Sequence, residues 1–279
     1  MTDFSSFLIA SDLDGTFAIN GQLVPRNIAA LERFRAGGGI FTIATGRAHL
    51  NLRSAIGDPT ALVNAPVICD NGAYLYDFAQ NKNLHEDLLR ASDAKELIAF
   101  MRRCFPDVRY SVSAVSAIRS EESAGYVAKD MKTYEKDAVC IRPADEWPLD
   151  DWYKLLVFDD TPRLREVSDA LVAHFGRRFL PTFSNTWILE VQYPGINKAL
   201  GLQKLKKHLD GIENRTVIAC GDFDNDIQML QAADVSVCPT NAQEQVKACA
   251  DHVLCRCHAG LIADVIEAIE QGQIRTVRR

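Results

Sequence analysis

No apolar stretch of the 279-residue chain approaches membrane-spanning length, and Met1 to Ser6 carry Asp3 but no basic leader ahead of an apolar core. Both absences predict a cytoplasmic protein. Positive charge is also scarce: the formal net charge is -6 and the pI near 5.6, which argues against a nucleic-acid or anionic-membrane footprint. Internal repeats and low-complexity segments are absent, so solenoid and linker-like classes drop out. The eight cysteines lack the spacing of a secreted disulfide scaffold, and Cys69, Cys220 and Cys238 lie in apolar strand-like runs, as buried thiols in a reducing compartment do. Cys249, His252, Cys255, Cys257 and His258 crowd into ten residues without a standard C-x2-C pair, so packing and loop thiols are expected there rather than zinc.

What the chain does have is a pair of acids in a costly place. The apolar run Phe7-Leu8-Ile9-Ala10 ends in Ser11-Asp12-Leu13-Asp14-Gly15-Thr16. Two carboxylates at the end of a buried strand repel unless a cation lies between them. An all-oxygen site of this kind suits Mg2+, which works with one or two carboxylates plus a phosphate. Two further strand-like runs end in polar clusters: Ile40 to Ala44 before Thr45-Gly46-Arg47, and Thr216 to Cys220 before Gly221-Asp222-Phe223-Asp224-Asn225-Asp226. Between them Asn197 is placed as an N-cap with Lys198 in the first helical turn. A cation there opposes the helix dipole, so an anion nearby is the better explanation for it. In open parallel α/β sheets ligands bind beyond the carboxyl ends of the strands, where these groups converge.

The ordered set Asp12-x-Asp14-Gly15-Thr16, Thr45-Gly46-Arg47, Lys198 and Gly221-Asp222-x-x-Asn225-Asp226 resembles the haloacid dehalogenase superfamily, and within it the Cof-type phosphatases with a large inserted α/β cap. Cys69-Asp70-Asn71-Gly72-Ala73 and Glu190 also fit that pattern. Departures occur at Phe17-Ala18-Ile19 and at Asn197-Lys198-Ala199, neither of which touches a charged catalytic group. The resemblance implies an α/β fold, a doubly wound, mainly parallel sheet with an inserted α+β cap. The expected division is a catalytic core over 1–81 and 191–279 and a cap over 82–190 that sets specificity, near Ser184, Asn185 or Tyr126.

The resemblance also supplies roles. Asp12 is the expected nucleophile and Asp14 the general acid and base. Thr45, Gly46, Arg47, Lys198 and Asn225 are expected on phosphate or substrate, and Asp12, Asp14, Asp222 and Asp226 around Mg2+, Asp14 through its carbonyl. Thr16 reads as a turn residue, and Arg47 equally as a surface salt bridge. The activity implied is Mg2+-dependent hydrolysis of a small phosphorylated metabolite through an aspartyl-phosphate, sugar phosphates first and phosphorylated cofactors such as pyridoxal phosphate second. The alternatives are a hexose phosphomutase on the same scaffold, a non-catalytic phosphometabolite sensor, and a receiver domain, which has no cap. No nucleic-acid or membrane partner is expected, and no feature sets an oligomeric state.

Along the chain, helices are predicted over Pro25–Ala36, Ser92 to Phe105, Pro162 to Phe175, Ala242 to Ala250 and Leu261 to Gln271, with a short one ending at Ala232. Strands are predicted at Val108 to Ile118, Lys154 to Phe158, Val235 to Val237 and His252–Leu254. A hairpin is expected around Ser184-Asn185 and helix with loop over Ser120 to Lys136.

Overall fold

The computed structural model describes residues 2–19 and 21–276. The chain divides into two units, Met1–Arg47 with Ala55–His85 and Asn197–Arg279, and Ala48–Ser54 with Glu86–Ile196. The stretch Ala48–Ser54, which its position in the sequence assigns to the first unit, clusters with the second, where Asn51 Nδ2 donates to Thr133 Oγ1 at 3.2 Å and the Ser54 hydroxyl donates to the Thr133 carbonyl.

The first unit is built on a five-stranded parallel sheet in the order His252–Leu254, Val235–Pro239, Thr216–Cys220, Phe7–Ser11, Ile40–Ile43. All three inner strands are buried at every position, as the unbroken apolar runs of a two-sided parallel sheet require. The helices Pro25–Ala36 and Cys257–Glu270 pack on each other. Pro25 opens its helix in the first turn, where its missing N–H costs no hydrogen bond. Beyond Ile43 the chain bridges in parallel to Ile68, beside a three-stranded sheet of Val67–Cys69, Tyr74–Asp77 and Lys82–Glu86.

The second unit has a six-stranded sheet in the order Val139–Ile141, Ile118–Ser120, Arg109–Ala114, Trp152–Phe158, Ile188–Gln192, Leu180–Asn185, antiparallel except for the first pair. Alternation along Trp152–Phe158 sorts its side chains. Leu155 and Val157 join a core with Leu97, Met101, Leu164 and Val167 from the helices Ala91–Cys104 and Thr161–Phe175, while Leu156 and Phe158 face Val127 and Met131 of the helix Gly125–Met131. On that second face Lys154 Nζ donates to Glu190 Oε2 at 3.0 Å, both side chains buried. The strand-like stretch Val108 to Ile118 is two antiparallel strands, because the chain turns between Ala114 and Ile118.

Candidate active site

Three strand ends and one helix start deliver the site, all within the first unit. Phe7–Ser11 ends at Asp12, whose N–H donates to the Cys220 carbonyl of the neighbouring strand at 2.8 Å. Thr216–Cys220 ends just before Asp222, and Asn197 caps the helix Lys198–His208 by accepting from Leu200 N at 2.9 Å. Lys198 therefore leaves the first turn with no exposed surface, and its Nζ donates to Asp12 Oδ1 at 2.5 Å and to Asp226 Oδ1 at 2.7 Å. The other oxygen of Asp226 accepts the N–H groups of Asp222 and Phe223 at 3.0 and 3.1 Å, so this acid shapes the turn that carries Asp222.

Carboxylate oxygens of Asp12, Asp222 and Asp226 lie within 4.8 Å of one another, the only such group of three or more acids, histidines or thiols among the described residues. Burial pushes the Asp12 carboxyl well above the usual range, with Lys198 pulling the other way and the neighbouring acids adding to the rise. Burial likewise lifts Asp222 to about 6, against the hydrogen bond from Thr16. Lys198 loses hydration too, yet Asp12 and Asp226 outweigh that loss and hold its ammonium above the ordinary lysine range. One ammonium facing three clustered acids leaves negative charge unbalanced. Hard oxygens, unbalanced charge and close spacing together fit a Mg2+ ion held by Asp12, Asp222 and Asp226.

Gly15 has φ +96, and a Cβ there would lie 2.4 Å from Asp222 Oδ2, so only glycine lets the two acidic loops close on each other. Thr16, read from sequence as a turn residue, also donates its hydroxyl to Asp222 Oδ1 at 2.6 Å. The Asp14 side chain is not part of the acid group: both its oxygens accept from Arg47, at 2.6 and 2.8 Å. Thr45 is buried with its hydroxyl accepting from Arg47 N at 3.1 Å, which curls the Thr45-Gly46-Arg47 turn.

Asn225 donates Nδ2 to Asn71 Oδ1 at 3.0 Å, and Asn71 N donates to the Thr45 carbonyl at 2.9 Å. Asn71 thereby links the second and last polar clusters. It and Asp70 hold φ of 55 and 45, left-handed backbone that asparagine and aspartate tolerate better than most residues. In the sequence Asn71 stands only as part of the family-like run Cys69-Asp70-Asn71-Gly72-Ala73, with no role of its own. Asp224 is exposed, and none of the eight cysteines is disulfide-bonded.

The haloacid dehalogenase-like hydrolase family model matches residues 9–266. Pyridoxal phosphate phosphatase YbhA of Escherichia coli (strain K12) is 27% identical over 256 residues, covering 88% of this chain and 92% of that protein. An HMP-PP phosphatase of Escherichia fergusonii is 28% identical over 253 residues, covering 88% of each. Among solved structures, a haloacid dehalogenase-like hydrolase from Bacteroides thetaiotaomicron superposes with a TM-score of 0.81 at 24% identity, over 94% of this chain and 99% of that one. One from B. subtilis gives 0.78 at 24% identity, over 93% and 98%. With its parallel sheet, its acids at the strand ends and a family match over nearly its whole length, the chain belongs to the haloacid dehalogenase-like hydrolases.

Proposed function

We propose that the protein is a Mg2+-dependent phosphatase of small phosphorylated metabolites, working through a phosphorylated Asp12. The observation that carries this reading is a buried aspartate at a strand end, held by a lysine at 2.5 Å and grouped with two further acids within 4.8 Å. Phosphoryl transfer asks a protein chiefly for alignment and charge stabilisation, and these residues supply both. Mg2+ bound by the three acids supplies neutralisation of the charge on the transferring oxygens.

Lys198 engages Oδ1 of Asp12, which leaves Oδ2 to attack phosphorus in line. The bond from phosphorus to the leaving oxygen breaks as Asp14 gives that oxygen a proton. Asp14 then takes a proton from water, the water oxygen attacks phosphorus, and the Asp12 carboxylate and inorganic phosphate are released. Because Arg47 occupies both oxygens of Asp14, the acid step requires Arg47 to part from it, and a phosphate group on the substrate is the natural new partner for a guanidinium. Thr45, Gly46 and Lys198 complete the phosphate contacts, with Asn225 oriented by Asn71.

Relatives named for pyridoxal phosphate and HMP-PP support phosphorylated cofactors ahead of sugar phosphates as substrates. Substrate selection falls to the second unit, where the exposed Tyr126 stacks on Trp187 at 5.5 Å between ring centroids. The test is phosphate release with Mg2+ from pyridoxal phosphate, HMP-PP and hexose 6-phosphates by the purified protein and its Asp12→Asn variant. Turnover of at least one compound, abolished by the substitution, is expected. A variant that retains the wild-type rate overturns the nucleophile, and conversion of a hexose 1-phosphate to its 6-phosphate without free phosphate replaces the phosphatase with a mutase.

A further inference from the structure

Leu13 and the turn after it make their own hydrogen bonds: Gly15 N donates to Ala18 O at 2.8 Å, and the N–H groups of Phe17 and Ala18 donate to Leu13 O at 3.1 and 2.7 Å. Two further carbonyls of the turn, those of Gly15 and Phe17, are each met by an asparagine from elsewhere in the first unit. Asn241, in the loop after the strand Val235–Pro239, donates Nδ2 to Gly15 O at 3.2 Å while its Oδ1 accepts from Cys257 N at 2.9 Å. Asn27, fully buried in the helix Pro25–Ala36, donates Nδ2 to Phe17 O at 3.3 Å while its Oδ1 accepts from Ala263 N at 3.0 Å. Each amide thus joins a carbonyl of the turn to an N–H of the last helix, a task that needs a donor and an acceptor on one short side chain.

The last helix is shaped to receive them. In an unbroken helix Ala263 N would donate to Ala259 O. Gly260 has φ 100 and ψ 63, which breaks that turn. The freed N–H goes to Asn27, and the freed Ala259 carbonyl accepts from Arg26 Nη1 at 3.1 Å. A Cβ on Gly260 would come within 3.2 Å of Asn27 Oδ1, so the break and the asparagine fit one another. Cys257 adds its thiol, 3.7 Å from the Ala18 carbonyl.

We infer that Asn241 and Asn27 are positioning residues, two amide struts that fix the Asp12–Asp14 turn against the broken first turns of the last helix. The inference rests on the proposed phosphatase reading for its catalytic consequence alone. The fixed turn sets where Asp14 stands relative to Asp12, and a displacement of about 1 Å at such a centre is worth on the order of a hundredfold in rate.

The decisive comparison is Asn241→Ala with Asn241→Asp, because Asn241 is exposed and its replacement leaves the core intact. Aspartate still accepts from Cys257 N and is a good helix cap, but it turns a second acceptor toward the Gly15 carbonyl. Both variants are expected to lose about tenfold or more in kcat on pyridoxal phosphate with KM within about twofold of wild type. Both are also expected to show faster amide hydrogen exchange at Gly15, Phe17 and Ala18. Wild-type kcat and exchange in Asn241→Asp alone would reduce Asn241 to a helix cap and overturn the inference. Unchanged exchange in both variants overturns it as well, whatever the rates. Faster exchange in a protein whose wild type releases no phosphate from any tested compound upholds the struts and sinks the phosphatase reading instead. Asn27→Asp serves as the second probe, with the same exchange signature expected at Phe17 and Ala18.

Discussion

Lys198 has no contact with solvent and two carboxylates for neighbours, so its removal strands Asp12 and Asp226 in a low-dielectric site. Lys198→Met should lower unfolding stability by about 3 kcal/mol in urea titration and abolish turnover, whereas a stable, active variant would remove the lysine from the mechanism. Arg47 gives the opposite pattern. Its pair with Asp14 is partly exposed, the side chains at 24% and 47%, so Arg47→Ala should change stability by less than about 1 kcal/mol while phosphate release falls and KM rises. These charged residues were legible in the sequence because each occupies a place that is costly without a partner: acids at a buried strand end, a cation at a helix start. Thr16 and Asn71 were not, because their meaning is a hydrogen bond to a partner 206 and 154 residues away, and no local pattern carries such a pairing.

Caps and loop hinges carry the sharpest expectations among the elements. Asp160 accepts from Arg163 N at 3.0 Å at the start of Thr161–Phe175, and Asp160→Ala should cost about 1 kcal/mol in chemical denaturation. Asp251 precedes the strand His252–Leu254 and accepts both the hydroxyl and the N–H of Ser236, at 2.7 and 2.8 Å, which hold its carboxyl below the ordinary value of 3.8. A lowered folded-state value means that the contribution is present above the unfolded value and is lost as pH falls through the folded one. The stability advantage of wild type over Asp251→Asn should therefore be full at neutral pH and shrink below about pH 4 in parallel urea titrations. Pro25–Ala36 was readable from its long apolar spacing, and Thr216–Cys220 and His252–Leu254 stand where short apolar runs put them. The helix expected over Ala242 to Ala250 shrinks to Glu244–Lys247, and the one expected from Leu261 begins at Cys257, across the break at Gly260. Val67–Cys69 was legible as the strand-like run around Cys69, whereas Lys82–Glu86 and Val139–Ile141 were not, since both are largely exposed or half-buried and carry little apolar signal.

At the scale of the molecule, the proposed Mg2+ centre at Asp12, Asp222 and Asp226 should govern all turnover. Chelation with EDTA should lower phosphate release by about a hundredfold or more, with Mg2+ restoring it and Ca2+, which favours six to eight ligands, failing to do so. Undiminished activity after chelation would remove the ion from the proposal. The fold class was legible in the sequence, because apolar runs alternating with helical patterns leave a parallel sheet as the economical arrangement. The path of the chain between the units was harder to read. Ala48–Ser54 leaves the first unit directly after Arg47 and returns to it before Ala55, so the backbone passes from one unit to the other at four points instead of the two that a simple insertion needs. A gene fragment spanning 86–196 would thus encode an incomplete body, its Thr133 deprived of both the Asn51 amide and the Ser54 hydroxyl, and any transplant of this unit into a related scaffold has to carry the seven-residue excursion with it.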